Sequence, residues 1–279
     1  MEDMQKAKII LFVYKMEQQK TYVKKALIMA GGFGSRMGEL TKDKPKPMLQ
    51  FHGKTILEHS IDLCKRFLIR EIAISIFYFG EQIKEYFGDG SRFGVNIIYV
   101  EEKEPLGTGG ALKLCKDWLN EPFMMCNADE LKDINLQEMY RQHISTGATA
   151  TIALTEVKDP SMYGVVELEN QKIKRFVEKP KIDEVPSKWI NAGLYILNPE
   201  VAGMVPEGYC MVEKDIFPKL AQEGKLFGFK FNGQWFDTGT LERYLTAHRS
   251  WNGFKEKPLF DFIPEKSQQS KIEVLISNS

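Results

Sequence analysis

No charge of one sign predominates in this 279-residue chain: 38 basic residues stand against 38 acidic ones, which removes any global field that would draw the protein to nucleic acid or to an anionic membrane. Any polyanion must be met locally. Cysteine is scarce, and Cys64, Cys115, Cys126 and Cys210 include no C-x-x-C pair of the kind that marks a zinc or redox site. Three of them fall within apolar segments, so they read as reduced core thiols of a cytoplasmic protein. Histidine is equally sparse; His52, His59, His143 and His248 show no ligand spacing and read as surface or packing residues. No apolar run approaches the roughly 18 to 20 residues that span a bilayer. The stretch 9–14 is short, follows acidic as well as basic residues, and has no small-residue cleavage site behind it, which argues against a signal peptide. No hexapeptide repeat is visible either. A chain of this length forms one large α/β domain or two small ones and buries roughly three-quarters of its unfolded surface.

What the chain does have is a glycine-rich stretch at 29–47, Met-Ala-Gly-Gly-Phe-Gly-Ser-Arg-Met-Gly-Glu-Leu-Thr-Lys-Asp-Lys-Pro-Lys-Pro. The apolar run 26–29 before it reads as a buried strand. Gly31, Gly32 and Gly34 lack Cβ and so are free to take positive φ and bring backbone N–H groups against a phosphate chain. Arg36 adds a planar fork and Lys46 a mobile point charge, a pair suited to an anion whose charge is redistributed during reaction. Two better-known phosphate loops fail on spacing: G-x-G-x-x-G begun at Gly32 meets Met37, and the P-loop ending suggested by Gly53-Lys54-Thr55 finds Met48 where a glycine belongs. Three glycines alone read equally well as a tight strand-to-helix turn.

Downstream, Thr55 and Glu58 form a capping box for an amphipathic helix over 55–68. A strand at 72–77, a helix at 81–87 stopped by Gly88 and a strand at 96–100 complete a β-loop-α-β-α-β unit, which implies a parallel sheet with right-handed crossovers. A second glycine loop, Leu106-Gly107-Thr108-Gly109-Gly110, opens a helix to about 119. Its position beyond a strand's carboxyl end suits an anion or a hydrogen-bonding base, and equally a plain turn. Phe123–Cys126 is another strand, and Asp129 just after it faces the same crevice, where it either holds a metal or caps the helix near 135–143. Later come a strand at 148–155, an antiparallel hairpin at 164–177, a strand at 189–197, a short helix at 199–204, and a helix over 213–220 that Pro218 should divide. The strands 227–231 and 234–237 lead into a last helix.

Gly31-Gly-x-Gly-Ser-Arg-Met with Leu40-Thr41 and Pro45-Lys46-Pro47 resembles the signature of the sugar-1-phosphate nucleotidyltransferases, with Ser35 where threonine is usual. The resemblance covers about residues 24–250, leaving an extension at 1–23 and a tail at 251–279. It implies a mostly parallel, doubly wound α/β sheet with a small antiparallel sugar-binding lobe, and transfer of a nucleotidyl group from an NTP to a sugar 1-phosphate. It further implies that Ala30, Gly31, Gly32, Gly34, Ser35, Leu106 and Gly107 bind the nucleotide, and that Arg36 and Lys46 are catalytic. Asp129, in Asn127-Ala-Asp, and Asp237, in Trp235-x-Asp-Thr-Gly, would hold Mg2+. Gly164, Glu178, Lys179 and Asn191 would line the sugar-phosphate site, Glu178 accepting sugar hydroxyls and Lys179 holding the phosphate. The segments at 107–111, 163–166, 178–180 and 213–218 look most like guanylyltransferases of mannose 1-phosphate or a manno-heptose 1-phosphate, with Glu104 a guess for a guanine-facing carboxylate. UTP, dTTP or CTP with glucose 1-phosphate is the alternative. A non-catalytic nucleotide-sugar-binding homologue and an alcohol-phosphate acceptor are further ones. Neither nucleic acid nor membrane is an expected partner, and the oligomeric state, a homo-oligomer included, stays open.

Overall fold

The computed structural model describes residues 22–256 and Pro258. The extension expected at 1–23 lies outside the described residues but for its last two, as does the apolar piece 272–276 of the tail.

Strand β1 (Lys25–Met29) is apolar without alternation because both its faces are covered: Ala26 and Ile28 pack into the core beneath one face of the sheet, Leu27 into the core beneath the other. The glycine loop follows, then a 3-10 turn at Ser35–Thr41 and a second at Lys46–Met48 led by Pro45. A small ribbon, β2 (Gln50–Phe51) and β3 (Lys54–Thr55), ends at the expected capping box of helix α1 (Ile56–Arg66). Thr55 Oγ1 accepts from the Glu58 amide at 3.1 Å, and the Glu58 carboxylate accepts from the Thr55 amide at 2.6 Å. Strand β4 (Glu71–Ile76), helix α2 (Gly80–Phe87) and strand β5 (Asn96–Glu101) complete the unit, and β5, β4 and β1 lie parallel.

Helix α3 (Thr108–Leu114) stops short of the expected 119. The amides of Trp118 and Leu119 both turn back to the Cys115 carbonyl and swing Leu119 into the core, a tertiary preference that apolar spacing does not reveal. Strand β6 (Phe123–Asn127) runs parallel to β1, and β7 (Glu130–Lys132) follows Asp129. Helix α4 (Leu136–Thr146) is capped by Asn135, whose Oδ1 accepts from the Glu138 amide at 3.1 Å, so capping is not the task of Asp129.

Strand β8 (Ala150–Glu156) precedes the hairpin of β9 (Gly164–Glu169) and β10 (Lys172–Glu178), and β11 (Trp189–Leu197) follows. After the short helix α5 (Glu200–Gly203), the expected helix at 213–220 is divided at its proline: a π-helical turn, Val212–Ile216, precedes α6 (Phe217–Gln222). Pro218 sits in the first turn of α6, where its missing N–H has no partner to lose. Strands β12 (Leu226–Lys230) and β13 (Trp235–Asp237) and helix α7 (Leu241–Ser250) close the described fold.

Nine strands form one sheet in the order β5-β4-β1-β6-β11-β8-β12-β10-β9. Its first half is parallel and presents strand carboxyl ends to one crevice. At β11 the direction reverses, and the antiparallel lobe continues the same sheet through the Ile190–Val165 pairing. Separately, β13 pairs with β7, setting Asp237 opposite Glu130. That short ribbon thus brings Asp237 beside the residue that follows Asp129, although only Asp129 of the two lines the crevice.

Candidate active site

A cleft of about 570 Å³ opens beyond the ends of β1, β4 and β6, walled by the glycine loop, Arg36, Lys46, Glu102, Gly107 and Asp129 among others. Of the three loop glycines only Gly34 takes positive φ, at 65°. It lets Met37 and Thr41 turn back on its carbonyl, at 2.9 and 3.0 Å, while Lys46 and Thr41 close over it. Gly31 keeps negative φ and serves instead to clear Phe77, and a side chain at Gly32 would meet nothing but the open cleft. Ala30 is buried, its amide tied to the Ser75 carbonyl at 2.9 Å, which leaves the amides that follow free to line the cleft. Ser35 and Arg36 are exposed on its rim.

Lys46 is only 5% exposed, an unusual place for an ammonium group, and its Nζ donates to Asp129 Oδ2 at 2.7 Å. Burial alone would raise the pKa of Asp129, but the charge and hydrogen bond of Lys46, helped by Lys132, hold it below the ordinary carboxylate value. The Asp129 backbone carbonyl accepts from both the amide and the hydroxyl of Thr238, at 3.1 and 2.7 Å, which ties this loop to the residue after Asp237. Asp237 in turn accepts from the Gly239 amide and from Arg243 Nη1, each at 2.5 Å.

Hard oxygen donors on two carboxylates fit Mg2+, which takes one or two protein carboxylates and leaves its other positions to phosphates and water. Among the described residues no three acidic, histidine or cysteine side chains converge into a closed metal cage. Lys46 and Arg243 balance the charge of these two carboxylates.

The second glycine loop is shaped by sterics. Gly107 has φ 74°, and a Cβ there would lie 2.4 Å from the Cys210 carbonyl oxygen. The Gly109 amide donates to that same oxygen at 2.8 Å, and the Cys210 amide donates to the Leu106 carbonyl at 2.9 Å. Leu106 thus stands behind the cleft wall, its Cβ against Gly110, while Gly107 and Thr108 face the cleft. The carboxylate there is Glu102, fixed by the Ser75 hydroxyl at 2.7 Å and the Leu106 amide at 3.0 Å; Glu104 points to solvent.

The residues expected around the sugar sit together in the adjoining antiparallel lobe. Gly164 pairs with Glu178 across the hairpin, and a Cβ on it would come within 2.8 Å of Glu178 Oε2. Lys179 takes positive φ, 48°, as its amide bonds to the Tyr163 carbonyl, and its exposed ammonium lies 3.7 Å from Glu178. Asn191 donates to the Tyr195 hydroxyl at 2.9 Å and accepts from the Gly193 amide at 2.9 Å. These four do not wall the 570 Å³ cleft itself.

Several polar residues carried no sequence signal. Glu130 lies between the two halves of the site, held by Asn127, Trp235 and the buried Lys132; burial still raises its pKa above the carboxylate norm. Arg243 stacks its guanidinium over Tyr163, 5.2 Å from the ring centre, while pairing with Asp237. Glu213 and Tyr195 are buried in contact. Glu213, unlike the others, had a sequence signal as the head of the 213–218 segment that carries part of the family resemblance.

Comparison with known proteins fits this geometry. The family model described as nucleotidyl transferase matches residues 25–252. The beta catalytic subunit of mannose-1-phosphate guanylyltransferase from Xenopus tropicalis is 40% identical over 229 residues, 80% of this chain and 63% of that protein. Its Drosophila melanogaster counterpart is 38% identical over 228 residues, 80% of this chain and 61% of that one. The chain therefore spans less than two thirds of the length of these curated relatives. Among solved structures, a Bacillus anthracis protein assigned as a glucose-1-phosphate thymidylyltransferase, in complex with sucrose, superposes with a TM-score of 0.76 at 26% identity, covering 83% of this chain and 97% of that one. A UDP-glucose pyrophosphorylase complexed with UDP-glucose gives 0.72 at 25% identity, covering 82% and 98%. The glycine loop, its basic pair and the sheet that carries them thus place this chain in the nucleotidyl transferase family.

Proposed function

We propose that residues 24–250 form a catalytic unit that transfers a nucleotidyl group from an NTP to a sugar 1-phosphate. A phosphate oxygen of the sugar 1-phosphate attacks the α-phosphorus, the bond from that phosphorus to the bridging oxygen breaks, and pyrophosphate leaves. The observation that carries the reading is the ion pair of Lys46 and Asp129 at 2.7 Å, set in one cleft with the glycine loop and Arg36. The nucleophile is already an anion, so the protein's contribution is positioning and charge neutralisation, and no general base is required.

In this reading the loop amides and Gly107 hold the nucleotide, and Arg36 takes the β,γ-phosphates and the departing pyrophosphate. Lys46 stands near the attacking phosphate. Lys179 anchors that phosphate from the other lobe, and Gly164, Glu178 and Asn191 receive the sugar. The family draws on a divalent metal, and we assign Mg2+ to Asp129 and Asp237, where, when bound, it would polarise the α-phosphate. GTP is favoured as donor by the names of the relatives at 38–40% identity, and Glu102 rather than Glu104 supplies the acceptor facing guanine N1 and N2. The chemistry named for the structural neighbours supports a second donor and acceptor pair, dTTP or UTP with glucose 1-phosphate. No described helix is long and apolar enough to cross a membrane, and four buried free thiols suit the reducing cytoplasm.

Pyrophosphate release from GTP, UTP, dTTP, CTP and ATP, each offered mannose, glucose, N-acetylglucosamine and heptose 1-phosphates, decides the substrates. The expected pair is GTP with mannose 1-phosphate or a manno-heptose 1-phosphate, other bases losing several orders of magnitude where buried polar groups are left unpaired. Preference for UTP or dTTP with glucose 1-phosphate would overturn the guanylyl assignment, and release with none would overturn the enzyme. Arg36→Ala and Lys46→Ala should each lower kcat by about 10²-fold, the scale for one preorganised charge-stabilising donor; a rise confined to the KM for NTP would reduce them to simple binding. Asp129→Asn and Asp237→Asn should each abolish most turnover and weaken Mn2+ binding, read by electron paramagnetic resonance, by about tenfold or more. Full activity of either variant at saturating Mg2+ would refute its metal assignment.

A further inference from the structure

Between the two halves of the site runs a line of hydrogen bonds, buried at its centre and half-buried at its ends, that the proposed chemistry does not use. Asn191 Nδ2 donates to the Tyr195 hydroxyl at 2.9 Å, and that hydroxyl donates to Glu213 Oε1 at 3.2 Å. The other carboxylate oxygen, Oε2, accepts from the Thr108 hydroxyl at 2.6 Å, and Thr108 Oγ1 accepts from the Val212 amide at 3.0 Å. Tyr195 is fully buried and Glu213 is 6% exposed. One end of this line is a sugar-lobe residue on β11, and the other is the first residue of α3, in the wall of the nucleotide cleft.

Burial raises the pKa of Glu213, while the hydrogen bonds from Thr108, its own backbone and Tyr195 oppose that shift. As a carboxylate it only accepts, and both hydroxyls then point their protons at it. The Tyr195 oxygen is then left to accept from Asn191, and the Thr108 oxygen from Val212. Moving any member would strand a buried donor or acceptor, which is far costlier than losing a solvated hydrogen bond. The π-helical turn at Val212–Ile216 is what carries Glu213 inward, and π turns of this kind gather at functional sites. The same segment is clamped to the second glycine loop by two backbone bonds, Cys210 amide to Leu106 carbonyl and Gly109 amide to Cys210 carbonyl. An unbroken path of hydrogen bonds therefore joins Asn191 to Thr108 and the loop in front of it.

We propose that Asn191, Tyr195, Glu213 and Thr108 form a positioning relay that couples the sugar 1-phosphate subsite to the nucleotide loop, so that each substrate tightens the binding of the other. The proposal rests on the nucleotidyltransferase reading above. Tyr195 and Glu213 touch no substrate in it; they act through Asn191 and Thr108. Because linkage is reciprocal, the factor by which sugar 1-phosphate improves nucleotide affinity equals the factor for the reverse.

The test uses the full chain with Mg2+ and the α,β-methylene analogue of whichever NTP the wild type turns over fastest, which binds without reacting. Its Kd is measured calorimetrically with and without the matching sugar 1-phosphate. The ratio should be about tenfold in the wild type, inside the usual range of intersite coupling, and fall below about twofold in Tyr195→Phe and in Thr108→Val. Thr108→Ser, which keeps a hydroxyl, should restore the wild-type ratio. The folded fraction of each variant is read from its circular dichroism with and without the sugar 1-phosphate, and the ratio is taken only where that fraction is unchanged. Wild-type turnover with a ratio near one, or an unchanged ratio in Tyr195→Phe or Thr108→Val, overturns the relay and leaves the enzymatic reading standing. Absence of pyrophosphate release from every substrate pair overturns that reading, and the relay's assignment with it.

Discussion

A lysine ammonium that is 5% exposed must have a counter-charge, and the bond from Lys46 to Asp129 at 2.7 Å is the constraint around which this site is built. The two residues come from distant parts of the chain and are held independently. Lys46 opens a short 3-10 turn led by Pro45, and its Cβ packs over Gly34, the loop glycine with positive φ. Asp129 follows β6 and is pinned by Thr238, which reaches over from the end of β13. Neither side chain has to search for its place when an anionic substrate arrives. Preorganised charge of this kind is where transfer between phosphates gains most of its rate.

The sheet explains why the glycine loops and the antiparallel lobe lie next to this pair. Its parallel half ends in loops at one crevice, so glycine loops and carboxylates gather there. The reversal at β11 turns the other half toward the same edge, bringing in Gly164, Glu178 and Asn191. A single continuous sheet therefore carries both halves of the site, joined by the line from Asn191 to Thr108. Asp237 ends β13 and Asp129 immediately precedes β7, its partner strand, while Arg243 ties Asp237 to Tyr163 of the antiparallel lobe.

Much of this was legible in the chain, for definite reasons. Thr55 and Glu58 announced α1 because a capping box is local chemistry, and the run 26–29 announced a two-sided strand because β1 has no solvent face. The walls of the cleft include glycines and basic residues that cluster in sequence. What escaped depends on contacts between distant residues. Helix α3 ends early because Leu119 is wanted in the core. Glu102 rather than Glu104 faces the cleft because Ser75, on a neighbouring strand, holds it. Arg243, Glu130 and Glu213 acquire their partners only when strands far apart in sequence are paired. The glycines were read too uniformly: of Gly31, Gly32 and Gly34, one needs its φ, one needs room for Phe77, and one leaves the cleft open.

An ammonium donating to Asp129 has no free lone pair with which to attack phosphorus, so the proposed transfer uses Lys46 as a fixed positive charge and not as a nucleophile. The most direct measurement is the stereochemical course at the α-phosphorus, followed with an NTP made chiral there by sulfur substitution. A single displacement by the sugar 1-phosphate predicts inversion of configuration in the nucleotide sugar. Retention would mean two displacements through a nucleotidyl-enzyme intermediate and would contradict the account.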